Sequence, residues 1–497
     1  MPSRVKMNRP WRRAGWLLCV LSLQAAAQGA TSEASPAPGA PADLLSVCSD
    51  ALQFNSNYES ARAQFYAAKD LLPLAKGKLL PQLGLGAQLN WTHEDADIHY
   101  DNTFQTDSDG TVVGTIFSQQ LNSVLSTFHA RVDDTFLRTV FGVQLSQALY
   151  RRDLFLGLDK AQVQQQQAAF GLDAAQEELL ISVVEAYFTL LAARDGQSFA
   201  QAETRTLREQ LDYIQTRAGA GLATDADVKA AQAAYELAQA DEAAADNALV
   251  AAQVSLEAVA GKTYANGFKV LPSTVTLSPP QPQDESLWVQ RARDENPGVL
   301  AKRAAVEIAR VDRRVAQAGR LPKFDVAGTA YSLDNGGGIS GDRNQQDYQI
   351  GITMTVPIYT GGQIGAAIHG AQEMEKKAEA DAEAATAKAV RDTRIAYLNS
   401  SAGLQRVTAL KRAVEAAIDA EASARAGYDA GTLTNADVLD AIDRRYQAET
   451  NYAAARYKFL VNTLKLKQLA GNLLTADLAQ INRLLRDPEQ APAPTEH

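Results

Sequence analysis

The chain has 497 residues, 46% of them hydrophobic, and a formal net charge of −10. An acidic balance of this size on an exported chain argues against a nucleic-acid binder. Past the N-terminal segment no apolar run reaches about 18 residues, so no helix is expected to cross a membrane.

Residues 1–27 read as an export signal. Arg4, Lys6, Arg9, Arg12 and Arg13 form a basic start, Ala14 to Leu23 a short apolar core, and Ala25-Ala26-Ala27 a small-residue cleavage site. Cys19 sits inside that core behind the bulky Leu18, a poor place for lipid attachment. Removal of the signal takes the formal charge to −15 and leaves Cys48 as the lone cysteine, so no intramolecular disulfide can form. Residues 28–42 read as a flexible leader and 487–497, with three prolines, as a disordered tail.

The body between these ends is one unit written twice. Gly221, Thr224, Ala226, Asp227 and Val228 recur 210 residues later as Gly431, Thr434, Ala436, Asp437 and Val438. Ala260-Gly261 recurs as Ala470-Gly471 at the same spacing. The halves run over residues 43–261 and 286–471. A proline-rich connector, 262–285, joins them, and a segment at 472–486 follows. These two stretches are expected to form a small collar.

Each half begins with helix and carries two strands. Leu83, Leu85, Ala87, Leu89 and Trp91 alternate with Gly84, Gly86, Gln88 and Asn90. Phe141, Val143 and Leu145 alternate in the same way, as do Tyr348, Ile350, Ile352, Met354 and Val356. A looser alternation covers Phe324 to Leu333. Period-2 segments at about 83–93, 139–147, 324–333 and 348–356, with one apolar and one polar face, suit tilted membrane strands of about 9–11 residues. Polar loops, His93 to Arg138 and Asp334 to Asp347, should face outward from the cell. Lipid tolerates no open sheet edge, and four strands cannot close a barrel, for which about eight is the smallest known count. The chain must therefore oligomerise. Two copies give eight strands and three give twelve, and the strand pattern allows either.

The remainder is helical. Asp153 to Thr216 and Gln363 to Ala426 are long enough to run close to 100 Å at about 1.5 Å per residue, so an elongated bundle or tube is expected. Shorter helices are expected at Asp43 to Leu79, Asp225 to Ala260, Ser286 to Ala318 and Asn435 to Ala470.

The repeated tip turns, 217–227 and 427–437, carry the candidate site. Gly221 and Gly431 can end the descending helices, and Thr224 and Thr434 fit as N-caps of the returning ones. Asp227 and Asp437 then fall three residues on, where a carboxylate completes a capping box. Asp440 lies one turn further on the face of Asp437, where capping does not reach. Such carboxylates in an oligomer would form a ring that selects cations.

The stretch Ala426-Gly427-Tyr428, Gly431-Thr432, Asp437-Val438-Leu439-Asp440-Ala441, Asn451, Ala455-Arg456-Tyr457, Leu460 and Asn462 resembles the TolC outer-membrane efflux protein family. The resemblance implies a homotrimer with four strands per chain. These would form a 12-stranded outer-membrane β-barrel continuous with a long periplasmic α-helical barrel and a mixed α/β equatorial collar. It implies a passive exit duct that works with a periplasmic adaptor and an inner-membrane ABC or proton-driven transporter, in type I protein secretion, multidrug efflux or both. It makes Asp437 and Asp440 the aperture ring and places Tyr428 and Asp227 in the network that holds the tip closed. Leu433 stands where the family pattern has a lock arginine, and Ala148 where the position of Pro357 in the other half suggests proline.

Two rivals differ in class. A trimeric adhesin anchor also supplies four strands per chain, but contiguous and C-terminal, whereas here they are split by long helices. An enzyme would need a catalytic or metal constellation. His93, His99 and His129 fall in the polar loop, and neither a nucleophile–base set nor a metal or cofactor motif accompanies them.

Overall fold

The computed structural model describes residues 41–99, 129–272 and 275–487. The expected export signal, most of the expected leader, the tip of the first polar loop and most of the C-terminal tail lie outside the described residues. The described chain begins with α1 (Leu44–Phe54), α2 (Ser56–Lys69) and α3 (Leu71–Gly77). Strands β1 (Gln82–His99) and β2 (His129–Tyr150) follow, then α4 (Arg152–Gly219) and α5 (Asp225–Ala260). The second half holds α6 (Glu285–Glu295), α7 (Pro297–Ala318), β3 (Lys323–Gly336) and β4 (Asp342–Thr355). It closes with α8 (Gln363–Asp429), α9 (Asn435–Leu469) and α10 (Thr475–Asn482).

The four strands make one antiparallel sheet in the order β1-β2-β3-β4. Register settles its faces. Leu85 opposes Val143 and Trp91 opposes Leu137, while Thr92 opposes Phe136. One face therefore carries Leu83, Leu85, Leu89, Trp91, Tyr348, Ile350 and Ile352, all strongly exposed, as a lipid-facing surface requires.

The strands are longer than the alternation alone indicates, at 18, 22, 14 and 14 residues. His93 to His99 and His129 to Arg138 are strand rather than loop. The lipid-facing apolar row ends at Trp91 and Leu137; the sparse alternation beyond it, Ala96, Val132 and Phe136 among charged residues, lies on the opposite face, and backbone pairing continues past the lipid-sized segment. His93 Nδ1 lies 3.0 Å from Thr135 Oγ1, and Arg131 pairs with Asp95 at 3.6 Å.

On the opposite, polar face the β3–β4 turn folds back across the sheet. Buried Asn335 donates to Gly337 O at 2.6 Å and to Gly341 O at 3.1 Å, and accepts from Arg138 Nε at 3.1 Å. Asp134 accepts the Gly338 amide at 2.8 Å and Glu94 accepts that of Ile339 at 3.2 Å.

Two of the expected helices are broken at asparagines, the second followed by Pro297, and the first breaks again at Asp70 between α2 and α3. Asn55 ends α1 and caps α2, its side-chain oxygen accepting from Asn57 and Tyr58 amides. Its amide donates to Val259 O at 3.0 Å. Asn296 does the same in the second half, accepting from Val299 N at 3.1 Å and donating to Leu469 O at 3.0 Å. Each asparagine thus interrupts one helix to seal the end of another. That end is the repeated Ala-Gly, where Gly261 and Gly471 take left-handed φ of 72° and 71°.

The main core lies where these breaks meet. Tyr187, Phe188, Leu256, Tyr457 and Leu464 are buried there together with α1 and α10. The Tyr187 hydroxyl donates to Lys269 O at 2.9 Å, and Tyr457 donates to Asp195 at 2.6 Å. Single bridges tie Ala42 to Phe268 and Val270 to Arg486, joining the start, connector and end of the chain in one collar. Burial in this core pushes the Cys48 thiol up to about 12, so it stays an inert apolar packing group.

Glu177 and Glu203 on α4 are pushed up to about 7. Burial acts first on both, with Asp173 behind it on Glu177, and Asp443 and Asp241 behind it on Glu203. The folded chain therefore holds these protons more tightly than the unfolded chain, whose glutamates titrate near 4.5. Stability should rise as pH falls through 7 and level off below the unfolded value. The assembly should melt higher at pH 6 than at pH 8, and Glu177→Gln with Glu203→Gln should flatten that difference. An unchanged pH slope in the double variant would contradict the assignment.

Candidate functional site

Both tips are built by the same local chemistry. Helix α4 ends at Gly219, the chain turns through Gly221 at φ 73°, and the Leu222 amide closes back on Arg217 O at 2.8 Å. In the second tip Gly431 has φ 76° and the Thr432 amide reaches Gly427 O at 2.9 Å. A left-handed residue here is one only glycine adopts without strain.

Thr224 and Thr434 are the N-caps of α5 and α9, and each tip has a complete capping box. Asp227 accepts from the Thr224 amide and hydroxyl at 3.0 and 2.6 Å. Asp437 accepts from those of Thr434 at 2.8 and 2.7 Å. These threonine hydrogen bonds hold both carboxyls below the usual carboxylate range. Asp437 remains exposed. Asp440, one turn on, is half exposed and pairs with Arg444 at 2.9 Å.

Residues outside the repeated motif fasten the two tips to each other. Buried Asn435, the first residue of α9, accepts from Gln210 of α4 at 2.8 Å and donates to Asp227 O of α5 at 3.3 Å. Arg217, in the last turn of α4, lies with its guanidinium carbon 5.0 Å from the Tyr428 ring centre and 5.6 Å from that of Tyr213. It donates to the Tyr213 hydroxyl at 3.0 Å and stands 3.6 Å from Asp429. The Tyr213 hydroxyl donates to Asp429 at 2.5 Å. Tyr428, singled out from sequence, is thus held by Arg217, while Asp227 meets the other hairpin through its backbone carbonyl. Leu433 supplies no cation. It folds over Gly427, where a Cβ would come within 2.7 Å of its methyl.

A few turns above, Glu421 is almost fully buried between α8 and α9. It receives Arg425 at 2.8 Å and Arg445 at 3.0 Å, and Arg445 also reaches Glu449 at 3.1 Å. Sequence reading missed Gln210, Asn435, Arg217 and Glu421. One signal was available: Arg217 stands where the second copy, 210 residues on, has Gly427.

The sequence matches the outer membrane efflux protein family over residues 47–262 and 288–472. It is 33% identical to the outer membrane protein TolC of Vibrio cholerae, over 69% of this chain and 79% of that protein. It is 28% identical to the alkaline protease secretion protein AprF of Pseudomonas aeruginosa, over 69% of this chain and 71% of that protein. The Campylobacter jejuni CmeC outer membrane channel shares the fold at a TM-score of 0.71 and 14% identity, over 92% of this chain and 95% of that one. These likenesses favour a conduit over the adhesin anchor. The chain belongs to the outer membrane efflux protein family. It is an exit duct of the Gram-negative outer membrane, a trimer whose 12-stranded β-barrel continues into a periplasmic α-helical barrel with an equatorial collar.

Proposed function

We propose that the duct serves type I protein secretion, conducting passively, with its aperture at the paired tips. The cargo reading rests on the likeness to a protease secretion protein, with drug or solute efflux as the second job of the same conduit. A periplasmic adaptor docks the trimer to an inner-membrane transporter, which supplies the work. An ABC transporter as that partner fits protein export, and a proton-driven pump fits solute efflux. No chemistry is assigned to the duct itself.

The observation that carries the aperture reading is the exposure of Asp437 and Asp440, one helical turn apart at the head of α9. Three copies place six carboxylates in one ring, and such a ring favours cations. Tyr428 and Asp227 lie in the tip junction that keeps the hairpins together. Opening is an untwisting of the tips that widens the ring.

The test is the reversal potential of the purified trimer in a salt gradient across a planar bilayer. Asp437→Ala with Asp440→Ala should lower cation preference while leaving the trimer folded. Because Thr434 loses its capping partner in that variant, the milder Asp440→Asn alone should shift the potential in the same direction. Unchanged selectivity in both would remove the ring from the account.

A further inference from the structure

The two helix pairs of each protomer meet at the tip in a buried layer and an exposed one. In the buried layer Leu207, Val438, Ile442 and Tyr446 form one cluster across the pairs, Tyr428 packs on Leu211, Ile214 and Ala231 of the α4/α5 pair, and Asn435 is hydrogen-bonded to Gln210 and to Asp227 O. Beyond it, at the end of α4 and α8, lies the polar set of Arg217, Tyr213, Tyr428 and Asp429. Arg217 is its only cation. Arg425, the next nearest, is committed to Glu421 within the α8/α9 pair.

We propose that Arg217 is the latch of the closed state, a positioning residue that ties α8 to α4 in the last turn before the aperture. The inference rests on the tip being the aperture. Its geometry suits a contact that must break and re-form. The guanidinium lies by two tyrosine rings and beside one exposed carboxylate, Asp429, rather than in a buried bidentate pair. Such pairs are weak in water and screened by salt. Within the α8/α9 pair, by contrast, the buried Glu421 network keeps the two helices together as one moving part. Leu433, seated on Gly427, leaves the second tip with no cation of its own. Among the described residues, the cation that meets Tyr428 and Asp429 comes from α4.

The experiment compares full-length wild type, Arg217→Gln, Arg217→Lys and Asp440→Asn trimers in planar bilayers at low and high potassium chloride. Trimer melting is measured beside them. Arg217→Gln should raise the open fraction on the order of tenfold with melting and ion selectivity unchanged. Arg217→Lys keeps the charge but loses the planar group, and should fall between. High salt should raise the open fraction of wild type and leave Arg217→Gln where it is, a response that loss of packing alone would not give. An unchanged open fraction in Arg217→Gln, with selectivity still altered by Asp440→Asn, would overturn the latch and spare the aperture. No effect of either variant would overturn both. A lower melting temperature in Arg217→Gln, without the change in salt response, would make Arg217 a stability residue and overturn the latch.

Discussion

Replacing Gly471 by alanine should cost the fold about 3 kcal/mol. Two penalties combine. Gly471 has φ 71°, a left-handed conformation that a side chain strains. A Cβ there would also run into the backbone of Glu295 and Asn296, much closer than van der Waals contact allows. The neighbouring backbone cannot retreat, because Asn296 is fixed at both ends, capping α7 and binding Leu469 O. Gly261 faces Phe54 in the same way, with a Cβ 2.9 Å from that of Phe54, and Gly261→Ala should cost a similar amount. Thermal or denaturant unfolding of the extracted trimer reads the loss. A change below about 0.5 kcal/mol, ordinary for an exposed site, would show that the collar is not packed as described.

Removing the Glu421 carboxylate should cost about 2 kcal/mol. Glu421 is 5% exposed and lies between two arginines. Glu421→Ala removes the partner that both arginines share. The loss stays below that of a fully buried pair, because Arg445 keeps Glu449 and Arg425 reaches water. A double-mutant cycle with Arg445→Ala separates the pair from the packing. The cycle should show coupling of about 1 kcal/mol or more. Strictly additive losses would mean that the network does not hold α8 to α9. The second consequence is functional: with the inner pair loosened, conductance steps should become noisier even where trimer assembly survives.

The parts of this molecule that were legible in sequence are those written in local chemistry. Thr224 with Asp227 and Thr434 with Asp437 spell capping boxes within four residues, and the boxes form as spelled. The apolar alternation of Leu83 to Trp91 marks a strand because one face meets lipid. The same strand's extension to His99 was hard to read because the row that carries Leu83 to Trp91 turns polar at His93, Asp95, Asp97 and His99, leaving only Ala96 and Ile98 to alternate against it. The helix break at Asn55 was hidden for a different reason: asparagine inside a helical pattern is common, and the Val259 carbonyl that this one binds lies about 200 residues away. The break at Asn296 was legible, because Pro297 follows it and a proline pushes the residue before it out of helical backbone. Arg217 is hard to read from the repeat because a repeat marks the positions where its copies agree. The copies disagree at Arg217 and Gly427: the glycine is covered by Leu433, and only the first copy carries a cation at this position.

Single-channel conductance of the purified wild-type trimer in a planar bilayer asks whether the duct is closed at its paired tips. Rare, small, cation-selective openings are expected, since six carboxylates would line a narrow mouth held by three latches. A wide, steadily open pore without cation preference would rule out closure at the tips, as would correctly inserted trimers that never conduct.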